Sequence, residues 1–155
     1  MEKQHHYASQ LEWTGNLGEG TSDYKSYSRN HSLSVSGKPV ILSSSDPSFR
    51  GDPTRYNPEE LMISSLSACH MLWYLHLCAV NGVVVLEYSD QATGVMVEHT
   101  DGSGEFTEAT LKPVVKVKDE TMISRAVELH DEAAKMCFIA RSVNFKVRHE
   151  PTILN

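Results

Sequence analysis

The chain reads as an α+β protein, one domain over residues 1–155 with mainly antiparallel sheets packed around two long helices. Two observations carry that reading. One is a sharply punctuated apolar helix beginning at Asn57-Pro58-Glu59-Glu60, with a second segment of helical spacing from Thr121 to about Ile139. The other is a set of short alternating segments separated by Gly, Pro and Asp turns, which reads as strands in mostly hairpin-like connections.

Taken in order, residues 8–14 and 24–36 alternate aromatic and polar side chains around the glycine-rich 15–20 segment, and Gly37-Lys38 turns the chain into Pro39-Val40-Ile41-Leu42. This predicts a small antiparallel meander. Residues 43–56 are polar and carry Pro47, Gly51 and Pro53, so they form a loop delivering the chain to the first helix. Asn57 is its N-cap, Pro58 its first residue, and Glu59 and Glu60 complement the helix dipole. It stops near Asn81-Gly82. Apolar on nearly every side after Ala68, it is expected to be covered all round.

Residues 83–89, 95–99 and 106–117 then read as three strands, the last two joined by a hairpin at Asp101-Gly102-Ser103-Gly104. In the second helix Ile123, Ala126, Val127, His130, Ala133, Ala134 and Cys137 share one face, directing Cys137 toward the core. Residues 143–150 close the chain as a last strand, ended by Pro151.

A formal charge of -6 without a basic stripe argues against a nucleic-acid partner. Three cysteines are too few for a secreted disulfide framework and no basic-then-apolar signal precedes them, so the expected setting is a reducing cytoplasm. Serines and histidines interrupt the apolar stretch 61–80, which points to a buried soluble helix and no membrane association.

Cys69 and Cys137 fall on the two long helices, each on an apolar face, and their meeting is plausible in a domain with only two such elements. A Cys69 thiolate oxidised by a peroxide would become a sulfenic acid, with which Cys137 would condense to form a disulfide. The competing reading is two small core hydrophobes, the common fate of free cysteine. Burial disfavours a thiolate unless a cation opposes it, and the N-terminus of the Cys69 helix is about 18 Å away. The candidate activators are Arg29, Arg50, Arg55, His70 and His130, with arginine preferred because it stays charged. Glu59 lies about 15 Å along the helix from Cys69, so it acts only by holding an arginine, by serving a second chain, or simply as a first-turn carboxylate. Cys78 is read as a packing residue. Met71, Leu72, Trp73 and Tyr74 offer an apolar lining for an organic substrate, or ordinary core.

A metal site drawn from Cys69, His70, His76, His130 and Cys137 lacks the usual ligand spacings. His130 and Cys137, seven apart, are more simply a core pair. Hydrolysis through Cys69 with His70 as base fails because helix neighbours point apart. A non-catalytic protein binding apolar ligands is the alternative outside enzymology.

The Asn57-Pro58-Glu59-Glu60-Leu61, Ser67-Ala68-Cys69-His70 and Cys137-Phe138-Ile139-Ala140 segments, with Gly18-Glu19-Gly20-Thr21-Ser22 and Phe49-Arg50-Gly51-Asp52, resemble the OsmC/Ohr family of osmotically induced and organic-hydroperoxide-resistance proteins. The resemblance implies an intertwined homodimer and thiol-dependent reduction of organic hydroperoxides, with hydrogen peroxide a weaker substrate. It implies no metal or cofactor, only an external thiol or dihydrolipoyl reductant. Residue by residue, Cys69 matches the peroxide-attacking cysteine, Cys137 the resolving one, Glu59 the carboxylate that orients the activating arginine, and Arg50 that arginine, with Arg29 and Arg55 as substitutes. His70 stands where other branches often have an aromatic residue, and Phe138 where they often have proline.

Overall fold

Asn57 closes a capping box at the start of α1 (Pro58–Val80): its Oδ1 accepts from the Glu60 N–H at 2.8 Å while its own N–H donates to Glu60 Oε2 at 3.1 Å. The computed structural model describes residues 2–155, which fall into two compact units, one reaching Leu61 and the other Met62–Asn155.

The first unit holds the expected meander, β1 (Gln10–Trp13), β2 (His31–Ser34) and β3 (Ile41–Ser43), paired antiparallel in that order. Trp13 Nε1 donates to the Ser28 carbonyl at 2.8 Å, closing the loop between β1 and β2. That loop needs glycine at position 15, where a Cβ would stand 1.9 Å from the Ser28 oxygen. The segment after β3 is a tight, self-bonded loop. Asp46 caps a 3₁₀ turn at Pro47–Phe49 by accepting from the Ser48 N–H at 2.7 Å, and the turn ends on Arg50 in a left-handed conformation, φ 64°.

In the second unit β4 (Val85–Asp90), β5 (Thr93–Glu98), β6 (Gly104–Leu111) and β7 (Pro113–Val117) are followed by α2 (Ile123–Met136), β8 (Lys146–His149) and β9 (Thr152–Leu154). They form two three-stranded sheets, β4-β7-β9 and β5-β6-β8. The fold is α+β as expected, and β5 and β6 pair across the anticipated hairpin.

Several expectations are corrected. The segment 106–117 is two strands in different sheets, because Pro113 has no N–H to continue a ladder and the Lys112 N–H turns aside to Asp90 Oδ1 at 2.6 Å. Pro151 does not close the series of strands: β8 stops at His149, and β9 follows the proline in the other sheet. Both β6·β8 and β7·β9 are parallel, so the sheets are mixed. The offset between partners is the same in both ladders, Leu111 facing His149 and Val114 facing Thr152, which sets Pro113 opposite Pro151.

The core gathers Tyr74 and Cys78 from α1, Val115 and Val117 from β7, and Ala126, Leu129 and Ala133 from α2. On α2 Leu129 is buried where Val127 was expected; Val127 is 46% exposed. Nor is α1 covered all round: it buries one stripe, Leu66, His70, Tyr74 and Cys78, and leaves Met62, Leu72 and Val80 open to solvent. By length and composition α1 is apolar enough to cross a membrane, a test that core helices also meet.

Candidate active site

Cys69 sits half-buried in the middle of α1, and Cys137 lies just past the end of α2, not within its last turn as expected. At Cys137 the backbone leaves the helix for an extended conformation, φ -66° and ψ 110°, while its N–H still donates to the Ala133 carbonyl at 3.0 Å. The departure turns the side chain inward. Cys137 is 1% exposed, its sulfur accepts from the Ala140 N–H at 3.4 Å, and its thiol is hydrogen-bonded with Cys69. Burial, reinforced by that bond, pushes the Cys137 thiol up to about 11.

Positions 72, 73 and 76 follow Cys69 by three, four and seven residues and so share its side of α1. Leu72, Trp73 and His76 line an open surface pocket of about 240 Å³. Phe138, next to the buried thiol, meets the Trp73 ring edge-on at 5.5 Å. Tyr74, expected among these lining residues, belongs instead to the core, where its hydroxyl donates to the Ala126 carbonyl at 3.1 Å.

The buried side of α1 carries a polar group into the core. His70 Nε2 and His130 Nδ1 share a hydrogen bond of 3.0 Å, and the His130 ring stacks on Tyr74 with centroids 3.8 Å apart. His149, from β8, stacks on His70 at 5.6 Å, and its Nε2 lies 2.9 Å from Asp131 Oδ1. Desolvation, then the neighbouring imidazole of His149, pulls His70 down to about 4; desolvation, then His70 and His149, pulls His130 down to about 3. Both are neutral at ordinary pH, which removes them as cationic activators of Cys69. His149 escaped the sequence reading because its contacts come through the parallel β6·β8 pairing, which leaves no local periodicity.

The candidate arginines and Glu59 all belong to the first unit. Arg29 is committed locally: its guanidinium donates to the Tyr27 and Tyr24 carbonyls at 2.7 and 2.8 Å and lies over both rings. Arg55 pairs with Asp52 at 3.5 Å. Among the described residues neither Arg50 nor Glu59 has an ion pair, and Arg50 is exposed at the tip of its loop. Gly51 holds that loop closed, since a Cβ there would fall 1.5 Å from the Ser45 oxygen. Cys78 is 1% exposed in the core, and burial raises its thiol. Among the described residues no group of three or more His, Cys, Asp or Glu is placed to hold a metal ion.

An α+β fold that brings two thiols into contact between its long helices defines a class. The sequence profile of OsmC-like proteins matches residues 51–151, and the chain belongs to that family. An OsmC-like protein of unknown function from Vibrio cholerae has the same fold, with 28% identity, a TM-score of 0.85, and 96% of this chain and 99% of that one covered. An organic hydroperoxide resistance protein from Elizabethkingia anophelis, 17% identical, superposes over 99% of each chain with a TM-score of 0.67. The Bacillus subtilis organic hydroperoxide resistance protein OhrB shares the fold at 16% identity and a TM-score of 0.59, over 95% of this chain and 98% of its own. The comparison with curated proteins returns no match.

Proposed function

We propose that this OsmC-like protein is a thiol peroxidase that reduces organic hydroperoxides, and hydrogen peroxide more weakly. The observation that carries the reading is the hydrogen-bonded pair of Cys69 and Cys137 beside an apolar pocket on the Cys69 side of α1. Cys69, as thiolate, attacks the terminal peroxide oxygen; the O–O bond breaks, the departing alkoxide takes a proton from water and leaves as the alcohol, and Cys69 becomes a sulfenic acid. Cys137 then attacks that sulfur, the S–O bond breaks, and water leaves as the disulfide forms. An external thiol or dihydrolipoyl protein returns both cysteines to thiols.

Arg50 is the proposed cation that favours the Cys69 thiolate and grips the peroxide, with Glu59 as the carboxylate that orients it. Arg29 and Arg55 already have partners, which leaves Arg50 as the better candidate. A homodimer is proposed as the working assembly, since the open apolar side of α1 needs a cover. The proposed setting is a reducing cytoplasm, in keeping with three free cysteines.

The test is one equivalent of an organic hydroperoxide added without oxygen, followed by mass analysis of the intact protein and its peptides. Rapid loss of two hydrogens with a Cys69–Cys137 crosslink is the expected result. Cys69→Ser should abolish peroxide consumption, and Cys137→Ser should stop at the sulfenic acid. Unchanged thiols in the native protein would instead favour a ligand-binding protein that uses the apolar pocket alone.

A further inference from the structure

Closing the disulfide requires Cys137 to give up a proton from a buried thiol. Behind it lies a small, partly open cavity of about 40 Å³, bordered by Cys137, His70, Arg148 and His149 among apolar neighbours that include Leu66 and Leu111. The volume suits one water molecule, and its polar borders supply the partners such a water needs. His149 connects this cavity to the outside: its side chain is 20% exposed and its Nε2 meets Asp131, which is 74% exposed.

We propose that His149, positioned by Asp131, receives the Cys137 proton through water in this cavity while the disulfide closes. The inference rests on the peroxidase reading above. The Cys137 S–H bond breaks, its proton passes through the water to His149, and the sulfur attacks the Cys69 sulfenic acid. As the S–O bond breaks, the departing hydroxide recovers a proton from His149 and leaves as water. Cys137 sulfur is oxidised, Cys69 sulfur is reduced, and no further reactant is needed.

The choice of His149 over its neighbours follows from their surroundings. The groups facing it are His70 from α1, His130 and Asp131 from α2, and Arg148 beside it on β8, itself 3.6 Å from Glu108 of β6. His70 and His130 share one hydrogen bond in a desolvated setting that keeps both neutral. Of the three rings His149 is the one hydrogen-bonded to a carboxylate, and that bond fixes Nε2 as the protonated nitrogen of the neutral ring, leaving the Nδ1 lone pair to accept.

The experiment is a single turnover with tert-butyl hydroperoxide from about pH 6 to 9, quenched so that the Cys69 sulfenic acid and the disulfide are counted separately. His149→Gln should slow closure about a hundredfold near neutrality while Cys69 oxidation stays within about twofold. Its closure rate should climb about tenfold per pH unit, following hydroxide, where the native rate flattens. Asp131→Asn, at an exposed position that does not threaten folding, should slow closure about tenfold. Native closure rates and pH profiles in both variants would overturn the proton path and leave the peroxidase reading standing. A native protein that forms neither sulfenic acid nor disulfide would overturn both.

Discussion

His70 Nε2 and His130 Nδ1 lie 3.0 Å apart, on different helices and both shielded from water. The pair sets an acid limit on stability. Each imidazole titrates in the fold well below its unfolded value of about 6.5, so the unfolded chain takes up protons that the folded one refuses. Stability should be complete above about pH 6.5 and fall as pH drops toward about 4, by at most about 1.4 kcal/mol per pH unit for each ring. Urea unfolding at a series of pH values checks this, and His130→Phe should flatten the slope. A native slope of zero between about pH 6 and 5 would mean the pair does not stay neutral.

Arg50 adopts a left-handed conformation that a side chain with a Cβ finds unfavourable by about 1 kcal/mol. Arg50→Gly should therefore unfold at an equal or slightly higher denaturant concentration, while peroxide turnover falls by at least about tenfold if this guanidinium acts on Cys69. Stability and activity measured on the same preparation separate the two effects. A fully active Arg50→Gly protein would transfer the role to another cation.

Cys78 packs with Tyr74, Val115 and Leu129 in the core. Cys78→Ala should cost about 1 to 2 kcal/mol in unfolding experiments and leave the rate of Cys69 oxidation unaltered. A matching fall in oxidation rate, with the fold intact, would give this third thiol a chemical part.

Leu72 is 63% exposed on the side of α1 that the chain leaves open. If a second copy covers that side, the native protein should sediment as a dimer and Leu72→Glu should shift it toward the monomer mass, because a buried unpaired carboxylate is costly. A monomeric native protein at micromolar concentration would refute the proposed assembly.

The residues that announced the fold were those whose meaning is local. Asn57, Pro58 and Glu60 specify a helix start through bonds within four residues, and Gly102 specifies a hairpin through its φ of 86°. The two thiols were identifiable because each lies on an apolar helical run, although the helix end at Cys137 depends on backbone angles that the run Ala133-Ala134-Lys135-Met136 does not announce. What escaped was set by distant partners. Pro113 separates two strands only because Asp90 claims the Lys112 N–H, and β9 exists only because β7 is there to receive it. His149 looked like one more polar residue in a strand until the parallel ladder placed it beside His70.

The opposition of Pro113 and Pro151 has a consequence for how the gene can vary. Substitutions along β8 and β9 change one side chain at a time. Loss or gain of a single residue between Lys146 and Glu150 would move Pro151 out of step with Pro113 and swap the faces of every residue on one side of it. His149 would then turn from the cavity and Thr152–Leu154 would miss their partners together. The segment from Lys146 to Pro151 is a spacer of fixed length, open to changes of residue and closed to insertions and deletions.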